Sequence, residues 1–168
     1  RLAEALDLAP AERETLRLAS QLHDIGMVVM SNAVLSTKRL LTPAERQQLR
    51  QHPAVAAQLL EQVPALRHLA PVVRHHHECW DGSGYPDGLK DEAIPYLARV
   101  LAVADAYGSL ICDWPGQMAG SPDAALAALR AAAGTQLDPA IAQALVGTMV
   151  PAGATTAPDW FTPGAPGR

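Results

Sequence analysis

Three consecutive imidazoles, His75-His76-His77, run into Glu78-Cys79-Trp80 and then the turn Asp81-Gly82-Ser83-Gly84-Tyr85-Pro86. Half of the chain's six histidines therefore sit in one short stretch. Few structural needs call for adjacent imidazoles, whereas borderline divalent metals prefer imidazole and carboxylate donors. Upstream, His23-Asp24 offers the same donor pair. Helical periodicity also places polar residues where core is expected: His23 or Asp24, His52, His76 or His77, and Asp105. By itself His52 reads as an ordinary buried imidazole with one hydrogen bond. A buried aspartate is harder to explain, because an unpaired carboxylate in a core is costly or neutralises. A dinuclear metal centre would satisfy all four positions together. A buried hydrogen-bond network is the competing reading.

The spacings make chemical sense for metals. Adjacent residues on a helix lie about 100° apart, so His23 and Asp24 reach one centre only from a helix end that points at it. Asp24 has two oxygens and could bridge two metals. Two cations about 3.5–4 Å apart activate water and clamp a phosphoryl oxygen during in-line attack. The donor types suit iron, manganese or zinc better than copper or magnesium. The loop from Asp81 to Pro86 is either a plain tight connection or a backbone that approaches a ligand, with Tyr85 stacking on it or bonding to it.

Six helices must position these groups. Residues 11–25 carry Leu16, Ala19, Leu22 and Ile25 at helical spacing, with Gly26 as the stop and His23-Asp24 in the last turn. The stretch from Met27 to Leu35 reads as an irregular loop. Thr42-Pro43-Ala44-Glu45 is a capping box that opens a second helix, with Leu49, His52, Ala56 and Leu59 on one stripe. Pro53 implies a kink in that helix beside His52. A third helix spans 64–78 and a fourth runs from Pro95 to about Cys112, with Leu97, Leu101 and Asp105 on one face. Two shorter helices follow, Pro122 to Ala133 and Pro139 to Met149, the latter capped by Asp138. Residues 1–150 read as one domain, and 151–168, a mixture of Pro, Gly, Ala and Thr, as a disordered tail.

Composition narrows the class. Apolar residues make up 49% and aromatics only 4%, so the core is Ala, Leu and Val, which favours packed helices over a sheet. A net charge of −4 argues against a nucleic-acid polymer as partner but leaves room for a small phosphate ligand held by metal. Cys79 and Cys112 form no CxxC pair, and reduced thiols in a cytoplasmic protein are expected. Arg99 interrupts the best apolar run, so no membrane contact is expected. The chain opens Arg1-Leu2-Ala3-Glu4 without Met or a signal pattern and reads as an N-terminally truncated segment of a longer protein.

At this point the ordered motifs resemble a known family. His23-Asp24-Ile25-Gly26, His52-Pro53, His76-His77-Glu78, Asp81 to Leu89 and Ile94-Pro95 are similar to those of HD-GYP domains. Ala98 to Asp105 and Gly134 to Pro139 continue the likeness, which covers residues 11 to 147. The resemblance implies an all-α HD-type helical bundle around a dinuclear or trinuclear centre, often of iron or manganese. It implies hydrolysis of cyclic di-GMP, or a related cyclic dinucleotide, to pGpG or GMP. Carried over, the metal ligands are His23, Asp24, His52, His76, His77 and Asp105, with Asp24 as the bridge and His23 and Asp24 at the catalytic centre. Tyr85, Gly84 and Lys38 are the substrate-facing residues. A fused sensory domain or signalling partners are also implied.

The chain departs from that pattern at Met27 and Thr37, where the family has lysine, although Lys38 is one step away. Gly108 replaces the family's second aspartate, and Trp114-Pro115-Gly116 stands where it has Arg-Pro-Tyr. The missing cations are those expected to hold substrate phosphates. Three readings follow. The first is an active cyclic dinucleotide phosphodiesterase. The second is a weakened domain that binds a ligand or a partner and transmits a signal. The third is a phosphohydrolase with a less charged substrate.

Overall fold

Proline and capping chemistry start most of the helices of this protein. The computed structural model describes residues 1–35, 37, 39–112 and 119–149. The helices are α1 (Leu2–Ala5), α2 (Pro10–Leu22), α3 (Asn32–Leu35), α4 (Pro43–Leu49), α5 (His52–Glu61), α6 (Ala70–Arg74), α7 (Tyr96–Ile111), α8 (Pro122–Ala132) and α9 (Pro139–Met149). Short 3₁₀ turns at Ile25–Val29, Arg67–Leu69 and Asp91–Ala93 join them. Among the described residues there is no strand, only a bridge between Ala133 and Leu137. The all-α expectation holds. Lys38, Trp114-Pro115-Gly116 and the tail 151–168 lie outside the described residues.

The expected capping box at Thr42 is formed. Thr42 Oγ1 accepts from the Glu45 amide at 3.3 Å, and Glu45 Oε2 accepts from the Thr42 amide at 2.7 Å. Such a cap is worth about 1 kcal/mol. Asp138 caps α9 by accepting from the Ala140 and Ile141 amides at 2.9 and 3.2 Å. Its other oxygen takes Arg99 Nη1 at 2.7 Å, so one buried carboxylate fastens α7 to the start of α9.

Several local expectations are corrected. The first helix ends at Leu22, leaving His23 as its cap and Asp24 at the head of the 3₁₀ turn. The stretch from Met27 to Leu35 is not irregular, because that turn and α3 occupy it. Pro53 does not kink one helix. It sits in the first turn of α5, which is separate from α4, since a proline ring is compatible with a helix start but not an interior. The buried stripe of α5 is then His52, Ala56 and Leu60, whereas Leu59 is 41% exposed. The helix expected over 64–78 shrinks to α6, and His75 to His77 stand in the turn beyond it.

Two apolar clusters meet at α7. Leu101 joins Ala19, Ala56, Ala57, Leu60, Leu69, Val72 and Val73 on one side. Val100 and Val103 join Leu126, Leu129, Ile141, Leu145 and Val146 on the other. Each fully buried Leu or Val contributes about 1.5–3 kcal/mol. The 3₁₀ turn Ile25–Val29 packs on α5, and this brings the His23-Asp24 corner against the head of α5.

Candidate metal centre

Three backbone breaks and one helix face aim the polar residues at one point. His23 and Asp24 leave the end of α2, His52 heads α5, and His76-His77 follow the end of α6. Asp105 alone projects from within a helix, α7. Helix ends do this readily, because neighbouring side chains there no longer diverge by a fixed helical step. Gly26 closes the corner. A Cβ at that position would collide with the His52 carbonyl and lie 2.8 Å from the Ala56 amide nitrogen, so only glycine lets the 3₁₀ turn rest on α5.

Asp24 stands between two imidazoles. Its Oδ2 is 3.2 Å from His23 Nε2 and its Oδ1 is 3.3 Å from His52 Nε2. Asp105 Oδ1 approaches His23 Nε2 at 3.7 Å. His76 packs edge-on to His23 and to His52, with ring centres 5.1 and 5.4 Å apart, and lies 4.0 Å from His77. Nitrogen and oxygen donors gather into two triads that share His76: His52, His76 and His77, and His23, Asp24 and His76. Within each triad the donor atoms lie within 4.8 Å of one another. All six residues expected at the centre are thus brought together.

Three of the imidazoles are oriented by backbone carbonyls. Nδ1 of His23, His52 and His76 bonds to the carbonyl three residues earlier, of Ser20, Leu49 and Val73, at 2.8, 2.7 and 2.6 Å. A carbonyl only accepts, so each Nδ1 carries a proton and Nε2 is the nitrogen left to face a cation. Nε2 of His76 is buried without any hydrogen-bond partner, and the buried Nε2 of His52 meets Asp24 Oδ1 at 3.3 Å outside hydrogen-bond geometry. An orphaned acceptor inside a protein is costly, and two that converge fit a pair of divalent cations.

The electrostatics agree with that fit. Burial, reinforced by His77, pushes the His76 imidazole down to about 3. Burial with His52 takes His77 to about 4, so both are neutral donors at ordinary pH. Burial works against ionisation of Asp24, yet His23 and His52 overcome it and hold the carboxyl well below the usual range. Burial likewise opposes a charge on His23, but Asp24 and Asp105 raise it above the usual imidazole value. Asp105 is pushed up by burial and by the Asp24 charge. A cation at the centre would therefore compete with the proton that Asp24 and Asp105 favour on His23.

The loop beyond the histidines is tied down by Glu78, to which the sequence reading gave no role. Its buried carboxylate accepts from the amides of Asp87, Gly88 and Leu89 at 2.7, 3.1 and 3.1 Å. Only a buried acid directly before a glycine turn hinted at this. His75 turns away from the centre. It bonds to Asp87 Oδ2 at 3.0 Å and to the Pro71 carbonyl at 2.8 Å, while Arg74 grips the same aspartate with two bonds of 2.7 Å. His75, Glu78 and Asp87 form a third donor group, but their oxygens are already engaged by these partners.

Gly84 packs on the Glu78–Cys79 backbone so closely that a Cβ would collide with the Cys79 amide. Tyr85 lies over His77, with ring centres 5.1 Å apart at 32°. Burial pushes its hydroxyl up to about 12, so it remains a phenol. His76, His77, Tyr85 and Asp105 open into a cavity of about 510 Å³ that continues along Ala102, Ala106 and Ala132. Trp80 and Asp81 amides bond to the Gln136 and Thr135 carbonyls at 3.1 and 2.8 Å, closing its rim. Lys38, expected to face substrate, lies outside the described residues. Both cysteines are free thiols.

The chain has clear relatives. The model of a family described as "HD domain" matches residues 1–141. The cyclic di-GMP phosphodiesterase response regulator RpfG of Xanthomonas campestris is 40% identical over 152 residues, covering 86% of this chain and 39% of the relative. The 3′3′-cGAMP-specific phosphodiesterase 3 of Vibrio cholerae is 35% identical, covering 82% of this chain and 30% of the relative. The chain thus spans about two fifths or less of these curated relatives. Bd1817 of Bdellovibrio bacteriovorus, described as an HDG"Y"P protein, superposes with a TM-score of 0.69 at 21% identity, covering 88% of this chain and 47% of that one. At that identity it shares the fold. No helix among the described residues is long and apolar enough to cross a membrane. Together with His23-Asp24, His76-His77 and Gly84-Tyr85-Pro86, the match from residue 1 to 141 shows that the chain belongs to the HD domain family, in its HD-GYP branch.

Proposed function

We propose that this domain is a metal-dependent phosphodiesterase that hydrolyses cyclic di-GMP or a related cyclic dinucleotide. The observation that carries the proposal is Asp24, one carboxylate 3.2 and 3.3 Å from two imidazoles that belong to different donor triads. Two divalent cations, iron or manganese, would be held by His23, Asp24, His52, His76, His77 and Asp105, with Asp24 spanning both. Bound there, such cations supply Lewis acidity toward a phosphoryl oxygen and lower the pKa of water.

The chain's own residues do the rest. Carbonyls of Ser20, Leu49 and Val73 hold three imidazoles in the donor tautomer. The Tyr85 phenol keeps its proton and donates a hydrogen bond to a bound phosphodiester or sugar. A cavity of about 510 Å³ lies in the range of small-molecule sites. Opening one phosphodiester yields linear pGpG, and opening both yields GMP. The relatives' shared class of substrate supports a cyclic dinucleotide. The setting is a longer cytoplasmic signalling protein with a sensory domain or a partner.

A second reading, a domain that binds the messenger and signals without turnover, is favoured by Met27. This half-buried apolar residue lies three positions after Asp24, where a cation would serve phosphate binding. One experiment separates the two. Protein loaded with iron or manganese under reducing conditions is incubated with cyclic di-GMP and with 3′3′-cGAMP, and the products are resolved chromatographically. Linear product supports the phosphodiesterase. Metal and messenger bound without product supports the signalling module. Asp24→Ala is expected to abolish metal content and activity together, and full metal content in that variant refutes the bridging role.

A further inference from the structure

We propose that Arg50, at the end of α4, binds the second phosphate of the cyclic dinucleotide, the one not being cleaved. The inference rests on the phosphodiesterase reading and assigns it a specificity residue. Arg50 Cζ lies 5.2 Å from the centre of the Tyr85 ring, and that ring lies 5.1 Å from His77. Two ring-width steps thus lead from the donor cluster to an exposed guanidinium.

What marks Arg50 is a guanidinium without an acceptor placed against Tyr85, a wall residue of the cavity. Arg17, Arg39, Arg74 and Arg99 are each fastened to a carboxylate at 2.7 Å. Among the described residues Arg50 has neither a carboxylate nor a carbonyl acceptor, only the tyrosine face. Five donors in a fork matched to phosphate are left unused in a groove that shares the Tyr85 wall with the cavity. Its surroundings are neutral and polar: Gln47, Gln51 and Gln58 line the shallow groove with it, next to Tyr85-Pro86. No acid in that groove competes for the charge.

Ligand geometry supplies the rest. The two phosphodiesters of a cyclic dinucleotide sit on opposite sides of one macrocycle. When one reaches Asp24 and Asp105, a macrocycle laid along His77 and Tyr85 would carry the other toward the guanidinium on the Tyr85 ring. The cations missing at Met27 and Thr37 leave this contact unreplaced by either position. Cation–π contact with Tyr85 costs Arg50 little hydration and holds its fork in place before substrate arrives.

The test compares two substrates on metal-loaded protein: cyclic di-GMP, with two phosphodiesters, and bis(p-nitrophenyl) phosphate, with one. Arg50→Gln is expected to raise KM for cyclic di-GMP roughly 10- to 100-fold with little change in kcat, the size of a lost charged hydrogen bond. Hydrolysis of the single phosphodiester, metal content and melting temperature should stay as in the parent. Arg50→Lys should recover part of the KM and of its salt dependence. Unchanged KM for cyclic di-GMP overturns the assignment, and so does an equal loss on both substrates, which would mean that Arg50 only props Tyr85. If the parent protein neither binds nor cleaves a cyclic dinucleotide, the phosphodiesterase reading fails and takes this assignment with it.

Discussion

Gly26 lies directly against the carbonyl of His52, with no room for a side chain between them. The glycine that ends the His-Asp-Ile-Gly motif is therefore part of the mechanism that sets Asp24 Oδ1 3.3 Å from His52 Nε2. Gly26→Ala is expected to push the 3₁₀ turn off α5 and destabilise the protein by about 1–3 kcal/mol. It should also lower bound metal. Thermal unfolding and elemental analysis read both. A stable variant with full metal content would show that the turn can shift freely.

His75 and His76 are neighbours with opposite orientations. His76 offers a buried, unpartnered Nε2, whereas both nitrogens of His75 are engaged, with Asp87 and Pro71. His76→Ala is expected to lose metal. His75→Ala should keep it and cost about 1 kcal/mol from the loop anchor. Equal metal loss in both variants would contradict this division.

Glu78 anchors the Tyr85 loop through three amides. Glu78→Gln removes the charge and one of the two acceptor oxygens, and should cost about 1.5–3 kcal/mol. Amide hydrogen exchange at 87–89 is expected to accelerate before the helices open. Unchanged protection there would mean that the loop is held by other contacts.

Acid should weaken the metal-free fold. His76 and His77 have folded-state values of about 3 and about 4, against 6.5 when unfolded. Between pH 6.5 and about 4 the unfolded chain binds more protons, so the stability present above 6.5 is lost as pH falls. Each extra proton corresponds to about 1.4 kcal/mol per pH unit. His23 acts in the other direction: its raised value adds stability below 6.5 that disappears at higher pH. Melting temperature in chelator should decline from pH 6.5 toward 4.5, and bound metal should flatten the curve near neutrality. A flat profile without metal would contradict the burial of these two imidazoles.

Residue type and order alone determined much of this protein. Imidazole and carboxylate chemistry belongs to the side chains, so His23 or Asp24, His52, His76 or His77, and Asp105 stand out at helical spacing, and the likeness to HD-GYP domains implies all six. Helix starts at Pro43 and Pro139 were legible because capping is settled within four residues, by Thr42 with Glu45 and by Asp138. Periodicity failed where the chain stops being helical. It ran one helix through Arg50-Gln51 and another through His75–His77, because apolar spacing does not register a turn that tertiary contacts stabilise.

Only the tertiary structure decided which way each imidazole faces. His75 goes to Asp87, twelve residues on, and the role of Glu78 depends on amides nine to eleven residues away. Arg50 gains meaning from Tyr85, thirty-five positions later, and the lost cations at Met27 and Thr37 say nothing about it. Donor identity is local chemistry and can be read along the chain. Donor direction is set where separate segments meet, and no single segment contains that information.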